Sequence, residues 1–190
     1  MIEDIRNQIL QSIDVKVKAA ELCAGAIEQG TNLMIEALKA GHTIYLCGNG
    51  GSAADCQHVA CELVGRFRLD RPALPAVALT TDTSILTAVA NDFDYGEVFA
   101  RQVAGLVRAG DVLLALSTSG NATSVLKAAA LARQRKAKVI GFTGDTGGQL
   151  KQLADCLVAV PSDETPRIQE SHITILHIMC GLIEKALFKA

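Results

Sequence analysis

From residue 43 onward, short apolar runs alternate with helical patterns, and glycine or hydroxyl residues mark most of the crossings. The apolar runs are 43–47, 75–79, 111–116, 138–143 and 156–160, and the helical patterns are 52–67, 83–90, 95–107, 121–135, 147–153 and 167–188. Strands that alternate with helices in this way build βαβ units, hence an α/β fold with a parallel sheet covered on both faces. With 49% hydrophobic residues, 16 Gly and no Trp, the core of such a sheet is aliphatic. The 190 residues suffice for one domain with a sizeable core.

Residues 3–39 precede this pattern and read as helix, with Ile5, Ile9, Ile13, Val17, Ala20 and Cys23 spaced by three or four. Gly30 is expected to break the run, leaving a second helix over 31–40 that Gly41 closes. A long amphipathic helix outside any βαβ unit needs a partner face. A symmetric homo-oligomer supplies one; folding back on the chain's own sheet is the alternative. The chain is accordingly expected to be a single domain, 1–190, with a helical oligomerisation segment at 1–40 and an α/β core at 41–190. The last segment carries the apolar stripe Ile175, Leu176, Met179, Leu182, Ile183 and Ala186, expected in the core.

The formal net charge is -2 and no basic run is present, which argues against direct nucleic-acid binding, though not against a protein partner that binds DNA. Cys23, Cys47, Cys56, Cys61, Cys156 and Cys180 form no C-x-x-C pair, and Met1-Ile2-Glu3-Asp4 does not open a secretory signal. Reduced, mostly buried thiols in a soluble cytoplasmic protein are expected. The apolar stretches are read as too short for a membrane span, which needs about 20 residues.

Two turns carry the chemistry. Ser117-Thr118-Ser119-Gly120-Asn121 follows the run Asp111–Leu116, and Gly48-Asn49-Gly50-Gly51-Ser52 follows Thr43–Cys47. A hydroxyl- or glycine-rich turn between a strand and a helix points backbone N–H groups, hydroxyls and the positive helix end at one place, a cradle for a phosphate monoester. Two of them suggest a small phosphorylated ligand gripped at both ends. The glycine turn lacks the spacing of a dinucleotide fingerprint, and no acid ends the second strand.

His58 and Glu62 stand at i, i+4 on the helix after the glycine turn, so imidazole and carboxylate share a face. They are a surface ion pair, two metal ligands, or a base with its partner. Gln169, Glu170, His172 and His177 cluster on the last helix, where His177 is either a core histidine or a proton carrier. Gln169 and His177 are about 12 Å apart along a helix axis, so one straight helix barely brings both to one metal. An irregular helix start, or two subunits, would resolve this. Asn91-Asp92 either cap the following helix or meet sugar hydroxyls. Arg66-Phe67-Arg68 and Arg71-Pro72 read as a solvated helix end and turn, and Thr143-Gly144-Asp145 with Gly147-Gly148 as shape alone.

Gly48–Ser52, Gln57-His58, Glu62-Leu63, Arg71-Pro72, Pro75–Leu79, Asn91-Asp92, Gly110–Leu114, Ser117–Asn121 and Arg167–Glu170 together resemble the sugar-isomerase (SIS) domain family, and within it the phosphoheptose isomerase branch. The resemblance implies a three-layer, flavodoxin-like α/β sandwich around five parallel strands, assembled as a homotetramer through the N-terminal helices, with active sites shared between subunits. It implies conversion of sedoheptulose 7-phosphate to D-glycero-D-manno-heptose 7-phosphate through an enediol, the first step toward ADP- or GDP-heptose and so lipopolysaccharide or related products. Ser117, Thr118 and Ser119 would hold the phosphate. Asn49, Gly50, Gly51, Ser52, Asn91, Asp92 and Gln169 would meet the substrate. Glu62 and His177 match the family's base and acid, and His58, Glu62, Gln169 and His177 its zinc site, one ion per subunit. Where the family commonly continues Ser-Gly-Asn-Ser, this chain has Ala122 followed by Thr123 and Ser124, so Ser124 is the candidate for the displaced phosphate hydroxyl. The rival within the family is the non-catalytic adapter of the bacterial replication initiator, which the set Glu62 and His177 disfavours.

Overall fold

The computed structural model describes residues 1–188. Its elements run α1 (Ile2–Leu22), α2 (Ala24–Lys39), β1 (Ile44–Cys47), α3 (Gly51–Val64), β2 (Ala76–Ala78), α4 (Thr83–Asp92), a 3-10 turn (Tyr95–Glu97), α5 (Val98–Leu106), β3 (Val112–Leu116), α6 (Thr123–Gln134), β4 (Lys138–Thr143), a second 3-10 turn (Gln149–Gln152), β5 (Cys156–Ala159) and α7 (Thr165–Phe188). The five strands form one sheet in the order β2-β1-β3-β4-β5, and every pair is parallel. Each predicted strand is present, four of them trimmed at one or both ends. The pattern at 147–153 is a 3-10 turn instead of an α-helix, and that at 95–107 starts as one.

Strand side chains alternate between two cores, as a period of two requires. Ile44, Leu46, Val112, Leu114, Leu116, Ile140 and Phe142 pack with α2, α3 and α7. Tyr45, Cys47, Leu113, Ala115 and Val139 pack with α5 and α6. Both faces are buried, which is why the strands read as unbroken apolar runs. The result is a three-layer sandwich.

The break in the N-terminal helix falls at Cys23, not Gly30. Cys23 takes φ -103, ψ -10, and its Sγ–H donates to the Ala159 carbonyl at 3.2 Å. Gly30 lies inside α2 for a packing reason: an added Cβ would sit 3.3 Å from Ile140 Cγ2 and 3.4 Å from Met179 Cε. Without a side chain there, α2 settles against the sheet. Gly41, at φ 80, closes α2 as expected. In α1 only Val15 and Ala19 are buried. Ile2, Ile5, Ile9, Leu10, Ile13 and Val17 are all more than half exposed, an apolar stripe that the rest of the chain leaves uncovered.

At 24 residues, α7 has the length and hydropathy of a membrane span, contrary to the reading that no stretch does. It packs instead against α1, α2 and α3, and it buries a carboxylate, Glu184, at 2% exposure. Five of the six cysteines are buried and Cys61 is exposed; all six are free thiols. Desolvation pushes the Cys47 thiol up to about 12.

Candidate active site

β1 and β3 are neighbours, yet β1 leads into α3 on one face of the sheet and β3 into α6 on the other. The turns therefore part at the carboxyl ends of adjacent strands, the crevice where open α/β sheets bind ligands. An added Cβ at Gly48 would lie 3.1 Å from the Leu116 carbonyl, so the two turns touch.

The serine turn is pinned to the sheet by Ser117 N–H donating to Phe142 O at 3.0 Å, and closed by Gly120 N–H to Ser117 O at 2.9 Å. Gly120 stands at φ 67, against the Gly147 carbonyl, with no room for a Cβ. Gly144 N–H donates to Thr118 O and Leu150 N–H to Gly120 O, at 2.8 and 2.9 Å. The loop over 144–148 thus clamps the turn, which is more than the shape-only role expected of it. Ala122 is the N-cap of α6 and no side chain caps the helix, so its leading N–H groups are left to a ligand. Thr118 is half-buried and Ser119 exposed, whereas Ser124 is buried. Asn121, predicted to begin the helix, serves the turn: its Nδ2 donates to Ser119 O and its Oδ1 accepts from Gln149 N–H.

Across the crevice, Gly50 takes φ 56, ψ -123, and α3 also starts without a side-chain cap. Asn49 joins the two turns, its Nδ2 donating to Ser124 Oγ at 3.0 Å while its Oδ1 accepts from Tyr95 O–H at 2.9 Å. Ser52 is buried beneath. The amide of Gln169 occupies the space where Gly51 would carry a Cβ.

α3 and α7 run side by side and parallel. Gln169 therefore meets the start of α3 at Gly51, and His177 meets its middle. His177 Nε2 lies 2.9 Å from His58 Nε2, which is 3.1 Å from Glu62 Oε1. The ligand atoms of His58, Glu62 and His177 all fall within 4.8 Å of one another. His58 is exposed and the other two half-buried; His58 and Glu62 stand on the helix that starts at the glycine turn. Two imidazole nitrogens and a carboxylate oxygen are donors that suit zinc, and two converging imidazole nitrogens need a proton or a cation between them. The three residues thus fit a metal ion. α7 is continuous from Thr165, so the distance between Gln169 and His177 is real: within the chain, Gln169 sits at the glycine turn while His177 joins the cluster.

The other candidates divide. His172, not His177, is the core histidine: it is fully buried, with Nε2 3.0 Å from Thr143 O. Asn91 and Asp92 end α4, bonded to each other at 2.8 Å, and the cap of the next turn is Asp94, which accepts from Gly96 N–H at 2.7 Å. Arg71 is not solvated: its side chain is 1% exposed and paired with Glu184. Sequence reasoning missed Tyr95 and Asp55. Asp55 lies one turn before His58 and has a buried, unpartnered Oδ2; burial pushes its carboxyl up while His58 opposes. The i, i+3 spacing to His58 was the available signal.

A parallel sandwich with two hydroxyl- or glycine-rich turns at its topological switch point, and a His58–Glu62–His177 cluster on the helices α3 and α7, is the architecture of the sugar-phosphate isomerases that the chain matches. The chain belongs to the SIS domain family, whose model matches residues 9–144. It is 52% identical over 188 residues to the phosphoheptose isomerase of Akkermansia muciniphila, covering 99% of each chain. The structure of phosphoheptose isomerase GmhA from Neisseria gonorrhoeae superposes with a TM-score of 0.92 at 43% identity, covering 96% of this chain and 98% of that one. A phosphoheptose isomerase from Francisella tularensis gives 0.94 at 37% identity, covering 97% and 98%. Within the family, then, the chain groups with the phosphoheptose isomerases.

Proposed function

We propose that this chain interconverts sedoheptulose 7-phosphate and D-glycero-D-manno-heptose 7-phosphate through a cis-enediol. The observation that carries this is the convergence of Glu62 and His177 from separate helices, one of which starts at the glycine turn that touches the serine turn. Ser117, Thr118, Ser119 and the leading N–H groups of α6 bind the phosphate, with Ser124 as the added hydroxyl. Asn49, Gly50, Gly51, Ser52, Asn91, Asp92 and Gln169 orient the sugar. Glu62 carries the proton between C1 and C2, and His177 gives and takes protons at the two oxygens. Both groups stand on helices packed against each other, so the substrate alone must be positioned.

A zinc ion would be held by His58, Glu62 and His177; Gln169 of the same chain stands at the glycine turn, so the fourth ligand that the family likeness implies would come from the Gln169 of another subunit. When bound it supplies Lewis-acid polarisation of a substrate oxygen. The chain acts as a single SIS domain, 1–190, in the cytoplasm. It assembles as a homotetramer through the uncovered apolar stripe of α1, with α2 contributing to the sandwich as well. Its partner is the sugar phosphate, not nucleic acid or membrane.

The test is NMR detection of aldose product from sedoheptulose 7-phosphate by the wild type and by Glu62→Gln. Turnover by the wild type and a loss of about 100-fold or more in the variant are expected. Near-normal turnover by Glu62→Gln would remove Glu62 as the base.

A further inference from the structure

Beyond the helix that carries it, the imidazole of His177 is held by a second, separate segment. On α7, His177, Gly181 and Glu184 follow at i, i+4 and i+7, which puts all three on one face. The segment after α3 lies along that face. The Phe67 ring stacks on the His177 ring, with centroids 5.6 Å apart and planes inclined by 24°. At Gly181 an added Cβ would make ordinary contact with Phe67 Cε1 at 3.4 Å, so the ring lies directly over this position of the helix. Arg68 covers the phenyl group, its guanidinium carbon 5.1 Å from the centroid.

Glu184 fixes the backbone of the same segment. Its Oε1 accepts from Phe67 N–H at 2.9 Å, and its Oε2 from Arg68 and Leu69 N–H at 3.0 Å each. Arg71 Nε donates to Oε1 at 3.2 Å. The far end of that guanidinium donates to Leu63 O at 2.6 Å and to Glu62 O at 2.7 Å. Those are carbonyls of the last turn of α3, which lack partners within the helix. One buried ion pair thereby anchors the backbone of Glu62 and the aromatic seat of His177 together.

We propose that Phe67, Arg71 and Glu184 are positioning residues of the isomerase, forming a pedestal that sets the His177 imidazole and the Glu62 carboxylate in register. The proposal rests on the isomerase reading above. It assigns the pedestal no contact with substrate. Its contribution is to hold an imidazole that α7 alone would leave free to rotate about its side-chain bonds, and a displacement of about 1 Å at such a group costs up to 100-fold in turnover.

Removing Glu184 would strand a buried guanidinium and risk the fold, so the test uses the ring. Phe67→Tyr keeps an aromatic face; Phe67→Leu fills much of the volume without one. Thermal midpoints, kcat and KM for sedoheptulose 7-phosphate are measured for the wild type, both variants and Glu62→Gln. Phe67→Tyr is expected within about 2-fold of wild type, and Phe67→Leu to keep the wild-type Tm and a KM within about 2-fold while kcat falls about 10-fold. Wild-type kcat in Phe67→Leu would overturn the proposal. So would a fall in kcat that only tracks a lowered Tm in both variants, since Phe67 would then be packing. A wild-type chain that gives no product removes the isomerase reading and the pedestal with it, whereas turnover matched by Phe67→Leu removes the pedestal alone.

Discussion

Mild acid should destabilise this protein through His172. The Thr143 carbonyl 3.0 Å from Nε2 can only accept, so Nε2 carries the hydrogen and Nδ1 is the bare nitrogen. Nδ1 is buried and has no partner. Protonation would place a charge and an unanswered N–H in the core beside Phe142, whose ring meets the imidazole edge-on at 5.5 Å. Burial accordingly lowers its pKa from 6.5 to about 4, the bond to Thr143 opposing only in part. The unfolded chain takes up this proton below pH about 6.5 and the folded chain only below about 4. Stability from neutral His172 is therefore complete above 6.5 and drains away as the pH falls between those values. At 1.36 kcal/mol per unit, the loss is about 2 kcal/mol between pH 7 and 5, and about 3 kcal/mol by pH 4. Carboxylates titrate in the same range, so the measurement is a difference: urea unfolding at fixed protein concentration, wild type against His172→Gln, at pH 7, 6 and 5. The glutamine keeps an N–H for Thr143 and cannot ionise. The wild type should lose about 2 kcal/mol more than the variant. Equal losses, or a folded His172 resonance titrating near 6.5, would refute the reasoning.

Two further substitutions probe the crevice. Gly51→Ala places a methyl where the Gln169 amide lies, so Gln169 must swing away; steady-state kinetics should show KM for the sugar phosphate rising about 10-fold with the fold intact by circular dichroism. Tyr95→Phe deletes the hydroxyl that holds Asn49 Oδ1, at the cost of one exposed hydrogen bond; KM should rise about 2- to 5-fold with kcat nearly unchanged, and an equal fall in kcat would instead make the hydroxyl part of the chemistry.

The parallel sheet and the two strand-to-helix turns were legible because their signals are local. A strand buried on both faces must be apolar throughout, and a turn that offers N–H groups must shed side chains. Gly30 misled because two uses of glycine leave the same letter: breaking a helix and letting one lie close to a sheet. The break at Cys23 depends on a thiol reaching Ala159, 136 positions later, which no local pattern records. Arg71 read as solvated for a similar reason, since its partner Glu184 lies 113 residues further on. Of the two readings open for Asn91-Asp92, the capping one falls to Asp94 instead, two residues further on at an element boundary.

The candidate site shows the same division in a sharper form. His58 and Glu62 could be paired from spacing alone, but His177 could not be added to them, because periodicity fixes which face of a helix a residue occupies and not which helix it meets. Two parallel helices remove the ambiguity. Once Gln169 is set at Gly51, eight residues further along α7 must fall beside the third turn of α3, between His58 and Glu62, and Glu184 beside the segment that leaves it. The 12 Å between Gln169 and His177, awkward for a single four-ligand metal cluster, is the length that lets one helix reach the glycine turn at one end, the His58–Glu62–His177 cluster in the middle and the Glu184 clasp beyond it. What looked like a strain on the metal site is a division of labour along α7, and it requires that α7 stay straight.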